Sequence, residues 1–201
     1  AGLRNVDADL AMAVSRGLGM AELPEPVRPA REPNRELPAS PALSIAKNGP
    51  DSFKGRRVGV LVTQDADAFA LNAVRTAAAQ QGVQVEIVAP AVAGVSMSDG
   101  TTVVADQKID GAPSVLYDAV VVLASEQGAT SLSHDPAARD FVTDAYAHFK
   151  FIGYTAPAVE FFKAAALNGL SDDDGIVDLD AVGAEDFLRR CVRLRHWDRS
   201  L

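Results

Sequence analysis

The stretch DAVVVLAS, Asp118 to Ser125, runs apolar from Ala119 to Ala124 and is led by three valines. β-Branched side chains are stiff at χ1 and favour strands. A strand with no polar alternation needs cover on both faces. RVGVLV (57–62) has the same character, while QVEIVA (84–89) alternates and stops at Pro90. KFIGY (150–154) supplies a fourth run. Helical periods separate these runs. Phe69, Ala73, Val74 and Ala77 share one face over 66–81, and Gly82 is placed to end that helix. Asp135 is a good N-cap with Pro136 at the first helical position, ahead of a buried stripe of Ala138, Phe141, Val142 and Ala145. A further helix spans 157–167 and ends near Asn168-Gly169.

Apolar strands alternating with helices predict an α/β fold, a doubly wound parallel sheet of flavodoxin-like type with helices on both faces. TTVVAD (101–106) and QKIDG (107–111) predict a small hairpin at its rim. Ligands of such sheets sit beyond the C-terminal strand ends, which points to 63–67, 124–128 and 154–157. Ahead of the sheet, Val6, Leu10, Ala13, Val14 and Leu18 predict one amphipathic helix over 5–16, closed near Gly17 or Gly19, whose apolar stripe needs a partner. Seven of the eleven prolines fall between Pro24 and Pro50, so that segment is expected to be extended and linker-like. The expected division is a helix at 1–20, a linker at 21–55 and an α/β domain at 56–201.

A chain of 201 residues can bury a substantial core. Its net charge of −8 argues against nucleic acid as a partner, because phosphates would be repelled. No apolar run reaches the roughly 18–20 residues that cross a bilayer. One cysteine, Cys191, excludes an intrachain disulfide and C-x-x-C motifs and fits a cytoplasmic protein. The start at Ala1, without Met or signal peptide, reads as a fragment of a longer protein.

Candidate chemistry clusters at the strand ends. TQDADA (63–68) offers Asp65 or Asp67 as a base or ribose ligand, with helix capping the simpler role. ASEQGA (124–129) offers Ser125 and Glu126, outside any G-x-S-x-G context, and reads first as a polar loop. Neither a dinucleotide nor a P-loop glycine pattern occurs. SHD (133–135) holds the residue types of a triad, but sequence neighbours cannot adopt its geometry. In SDDDGIVDLD (171–180), taking Gly175 as position six of a calcium loop puts Leu170 first and Ala181 twelfth, so the segment is expected to be an exposed acidic turn. Three scattered histidines give no metal-ligand spacing. No metal or cofactor ligands are assigned.

KFIGYTAPAVEFF (150–162) is a strand–turn–helix corner of the kind that raises a nucleophile. Residues 56–167 resemble the class I glutamine amidotransferase-like superfamily with its PfpI-type members, which carry a K-x-I-x-x-I-C corner. Lys150, Ile152 and Thr155 match that frame, while the nucleophile position falls on Ala156 and the following His position on Pro157. The resemblance implies a vestigial site at Asp65, Ser125, Glu126, Thr155 and Ala156, with a residual hydrolase or deglycase as the alternative to a non-enzyme. A second resemblance spans nearly the whole chain. NVDADLAMAVSRGLGM, FKGRRVGVLVTQDAD, SDGTTVVADQKIDGAPSVLYDAVVVL and DPAARDFVTDAYAHFKFIGYT are similar in order to the C-terminal region of large-subunit haem catalases. It implies hydrogen peroxide dismutation and haem in the parent enzyme, with packing on a catalase core, neighbouring subunits of a homotetramer, and chaperone-like action on unfolded client proteins. An R-x-x-x-Y haem motif is missing here, since Pro113, Val142 and Lys150 stand four residues before Tyr117, Tyr146 and Tyr154.

Overall fold

A computed structural model describes residues 1–168 and 172–199. It divides into two units, Ala1–Leu43 and Ser44–Leu201. The first contains helices α1 (Leu3–Val6) and α2 (Ala8–Gly17), then a segment with no regular element until a 3-10 turn at Pro41–Leu43. The expected single helix over 5–16 is broken because Asp7 is extended (φ −155°, ψ 129°) and its carboxylate caps α2, accepting from Leu10 N–H at 2.8 Å. The Pro-rich segment folds back along these helices: Arg4 and Asn5 donate to the carbonyls of Pro24 and Val27 at 3.0 and 2.6 Å.

The second unit is built on a six-stranded sheet with the order β5-β2-β1-β6-β7-β8, every pairing parallel. Its strands are β1 (Arg57–Val62), β2 (Gln84–Ala89), β5 (Gln107–Lys108), β6 (Ala119–Leu123), β7 (Ile152–Tyr154) and β8 (Ile176–Asp178). Without the two-residue edge β5, the order is 2-1-3-4-5, that of a flavodoxin-like sheet. The expected fold class is present.

Period-two alternation sorts the side chains between two cores. Val58, Val60, Val62, Val121 and Leu123 face Leu71, Val74 and Ala77 of α3 (Ala68–Gln81) and Phe187, Leu188 and Cys191 of α7 (Leu179–Cys191). Leu61, Val120, Val122 and Ile152 face α4 (Glu126–Ser133), α5 (Pro136–Ala147) and α6 (Val159–Ala164). Asp67 caps α3 through Phe69 N–H, and Gly82 ends it in the left-handed region at φ 65°. Phe69 itself, expected on the buried face, is 79% exposed; Leu71 takes the core position.

Several expectations need correction. Thr102–Val103 (β4) does not pair with Gln107–Lys108. It joins Val95–Ser96 (β3) in an antiparallel ribbon, while β5 extends the parallel sheet beside β2. The expected polar loop at 124–129 is the start of α4, with Ser125 as its N-cap. The helix expected at 157–167 is a 3-10 turn at Ala156–Ala158 followed by the six residues of α6. Its expected end at Asn168-Gly169 runs into residues outside those described. The acidic stretch 171–180 is not a plain exposed turn, because Ile176 and Val177 are buried in β8 and Asp178 caps α7.

Lys150 lies just before β7, at the opposite end of the sheet from the candidate site. It is 2% exposed, and its Nζ donates to the carbonyls of Ser114 at 2.5 Å and Tyr117 at 2.6 Å. These bonds tie the segment before β6 to β7. Burial, with a smaller push from Arg195, lowers its pKa to about 8. Between about pH 8 and 10.5 the unfolded lysine holds a proton that the folded one has lost, so stability rises with pH across that window. Buried Cys191 works the other way from 9.0 upward, since its thiol pKa is raised. We expect urea denaturation of wild type minus Lys150→Met to show stability rising from pH 8 to 9, at up to ~1.4 kcal/mol per pH unit. A flat difference would remove the buried ammonium from the account.

Candidate functional site

The sheet changes direction of winding between β1 and β6, and the crevice beyond their C-terminal ends is where such folds accept ligands. A cleft of ≈ 400 Å³ lies there. Thr63, Gln64 and Asp65 follow β1; Pro90, Ala91 and Gly94 follow β2; Ser125, Gln127, Gly128, Ser131, Leu132 and Asp135 come from α4 and the start of α5.

Close packing fixes the cleft floor. Buried Thr63 accepts the Ser125 N–H on Oγ1 at 3.1 Å. Ser125 Oγ donates to the Gln64 carbonyl at 2.7 Å and accepts from Gly128 N–H at 3.0 Å. With its proton donated to a backbone carbonyl and no base bonded to it among the described residues, this hydroxyl lacks the features of an activated nucleophile. Gln64, a wall residue, accepts from Ser96 N–H through Oε1 at 3.2 Å. Asp65 is held at φ 58° with its N–H donating to the Ser96 carbonyl at 2.8 Å.

The structure brings Asp65 and Ser125 to one cleft and leaves the other sequence candidates out of its walls. Glu126 is exposed on the first turn of α4. Thr155 is buried, with its N–H donating to the Val122 carbonyl. Ala156 opens the 3-10 turn after β7, and its N–H donates to Asp180 Oδ2 at 2.8 Å. A nucleophile elbow is sharp and strained. The non-glycine residues with positive φ are Asp65, Phe149, Ala166 and Leu194, so the corner at Ala156 is relaxed among the described residues. Asp180 carried no sequence signal for this contact, being 24 positions away in another helix. The Pro90–Gly94 wall was likewise missed; only the strand order places the end of β2 beside that of β1.

No group of three or more His, Cys, Asp or Glu among the described residues could hold a metal ion. No helix among them is long and apolar enough to cross a membrane.

Residues 54–200 match the C-terminal domain found in long catalases. The chain belongs to that family. It is 42% identical over 198 residues to catalase C of Rhizobium meliloti, covering 98% of this chain and 28% of the relative. Catalase HPII of Mycobacterium avium is 34% identical, with 98% and 29% covered. The long-catalase domain thus spans less than a third of these curated relatives. Among solved structures, oxidised DJ-1 of Toxoplasma gondii superposes with TM-score 0.51 at 20% identity, over 56% of this chain and 62% of that one. A two-domain Anabaena variabilis protein with DJ-1/ThiJ/PfpI-like and ferritin-like domains gives TM-score 0.52 at 18% identity, over 56% of this chain and 32% of that one. At such identities the likeness concerns the fold alone.

Proposed function

We propose that this chain is the non-catalytic C-terminal domain of a cytoplasmic long catalase and stabilises that enzyme or its homotetramer. Hydrogen peroxide dismutation then resides in the remaining sequence, and the partners are the catalase core and neighbouring subunits. The observation that carries this reading is the apolar stripe of the first unit. Val6 and Leu18 are each 71% exposed, and Leu10 and Val14 are exposed beside them, while only Ala11 and Ser15 of α2 are buried. An exposed apolar run of this kind marks an interaction surface. Covering four such side chains contributes roughly 1.5–3 kcal/mol each.

Two of the three tyrosines are unsuited to hold a haem. Tyr117 is buried edge-on to Phe141, and Tyr154 packs edge-on to Phe162. The Tyr146 ring is covered by the Arg199 guanidinium at 4.4 Å. Burial of Tyr117 and Tyr154 keeps both from an iron, which supports placing haem outside this chain. The doubly engaged Ser125 and the alanine at 156 weigh against a residual hydrolase or deglycase.

The test uses the parent long catalase in two variants, one lacking 44–201 and one carrying Leu10→Asp with Val14→Asp. Both should inactivate faster on heating and dissociate from the tetramer more readily. Unchanged inactivation and assembly in both would end the proposal. The same stripe supports a second reading, chaperone-like holding of unfolded clients by the separate chain. Suppressed light scattering of a heat-labile enzyme, lost in the Leu10→Asp, Val14→Asp variant, would support it; no suppression would remove it.

A further inference from the structure

We propose that the cleft between β1, β2 and α4 is a binding site for a small organic cation, an ammonium or guanidinium carried on a compact apolar body. The site is distinct from the corner at Ala156, whose residues do not form its walls. Its ≈ 400 Å³ lies in the range of small-molecule pockets, and its position at the switch point is where open α/β sheets take ligands. The walls combine an apolar surface (Pro90, Ala91, Val95 and Leu132) with two carboxylates, Asp65 and Asp135. Among the described residues no lysine, arginine or histidine lines it.

The carboxylates decide the sign of the ligand. Among the described residues Asp65 accepts no side-chain or backbone hydrogen bond, and it is an exposed wall residue with left-handed backbone. Asp135 spends Oδ1 on the Ala137 N–H at 2.9 Å, which leaves Oδ2 able to accept. The opposing influences are the partial positive charges at the N-termini of α4 and of α5, the second capped by Asp135 itself. The first is already answered by the Ser125 hydroxyl on Gly128 N–H and by Glu126 in the first turn. The two carboxylates, with no lysine, arginine or histidine among the described lining residues to answer them, set the sign of the cleft. The chain's net charge of −8 raises the local concentration of cations further. With two carboxylates and no cationic side chain among the described lining residues, an anionic ligand such as a phosphate is disfavoured.

The test is two-dimensional amide NMR of the full 201-residue chain with benzylamine, and with benzyl alcohol and benzoate as the neutral and anionic shapes. At about 10 mM, a concentration suited to so small a ligand, benzylamine should shift the amides of Gln64, Asp65, Ala91 and Gly128. Benzyl alcohol should bind several-fold more weakly and benzoate not at all. Asp65→Asn keeps a residue that tolerates left-handed backbone and should weaken benzylamine about ten-fold. Ala91→Trp, a change at an exposed wall position, should abolish the shifts while leaving the rest of the spectrum in place. Equal shifts from amine and alcohol, an Asp65→Asn variant that binds as well as wild type, shifts that survive Ala91→Trp, or no shifts at all would each overturn the assignment.

Discussion

Arg199→Ala should lower the stability of the α/β unit by about 3–5 kcal/mol, the cost of removing one partner from a buried charge pair. The Arg199 side chain is 1% exposed. Nε donates to Asp173 Oδ2 at 2.6 Å, Nη2 reaches Oδ1 at 3.2 Å, and Nη1 donates to the carbonyls of Tyr146 and Lys150 at 2.9 and 3.0 Å. The C-terminal segment is thereby fastened to α5, to the approach to β7 and to the turn before β8. The seat is made close by Gly175, where a Cβ would stand 2.6 Å from Arg199 Nη2 and 2.8 Å from His196. Without the guanidinium, Asp173 would keep a largely buried carboxylate and lose its main donor.

The same pair sets a pH dependence. Burial raises the Asp173 pKa, but the hydrogen bonds from Arg199 and from Gly175 N–H outweigh it and bring the carboxyl below its usual 3.8. Its contribution is therefore present above pH 3.8 and lost as pH falls through the lower folded value. Wild type should lose stability on acidification below about pH 4 more steeply than Arg199→Ala. Far-UV circular dichroism in urea reports the whole unit, and fluorescence of Trp197 reports the tail. A transition that moves only in fluorescence would mean the pair holds the tail and nothing more.

Gly128→Ala should cost about 2–3 kcal/mol, although alanine in a helix gains up to ~1 kcal/mol over glycine. A Cβ at 128 would lie 2.0 Å from Thr63 Oγ1 and 2.4 Å from its Cβ, with nowhere for a short buried side chain to retreat. Relief requires α4 to back away from the end of β1, which breaks the Thr63–Ser125 contact and opens the cleft floor. Thermal melts of Gly128→Ala against wild type decide the sign. A neutral or raised melting temperature would show that the floor yields easily.

The acidic tail shows how much of this was hidden. Asp173 reads in sequence as one of three exposed aspartates, and His196 and Arg199 as a polar end. Only the return of the chain past Phe149 places them on one another, with His196 N–H donating to the Phe149 carbonyl at 2.7 Å. Lys150 presents the same lesson. In sequence it is a motif position, whereas the two carbonyls that hold it buried lie 33 and 36 residues earlier. Short strands were equally opaque. Ile176–Asp178 is too brief for a periodicity, and its pairing with β7 is what makes it a strand.

What the sequence alone determined was the α/β layering. Unbroken valine-rich runs at 57–62 and 119–123 can exist only between two covers, and the capped helices at Asp67, Asp135 and Gly82 supply them. Local chemistry suffices there, because capping and periodicity act within a few residues. The tertiary structure alone decided which strand lies beside which, that β4 pairs backward with β3, and that the cleft at β1, β2 and α4 excludes the corner at Ala156. Those outcomes depend on contacts between residues tens of positions apart, whose energies come from packing and desolvation, and no short window of sequence contains both partners.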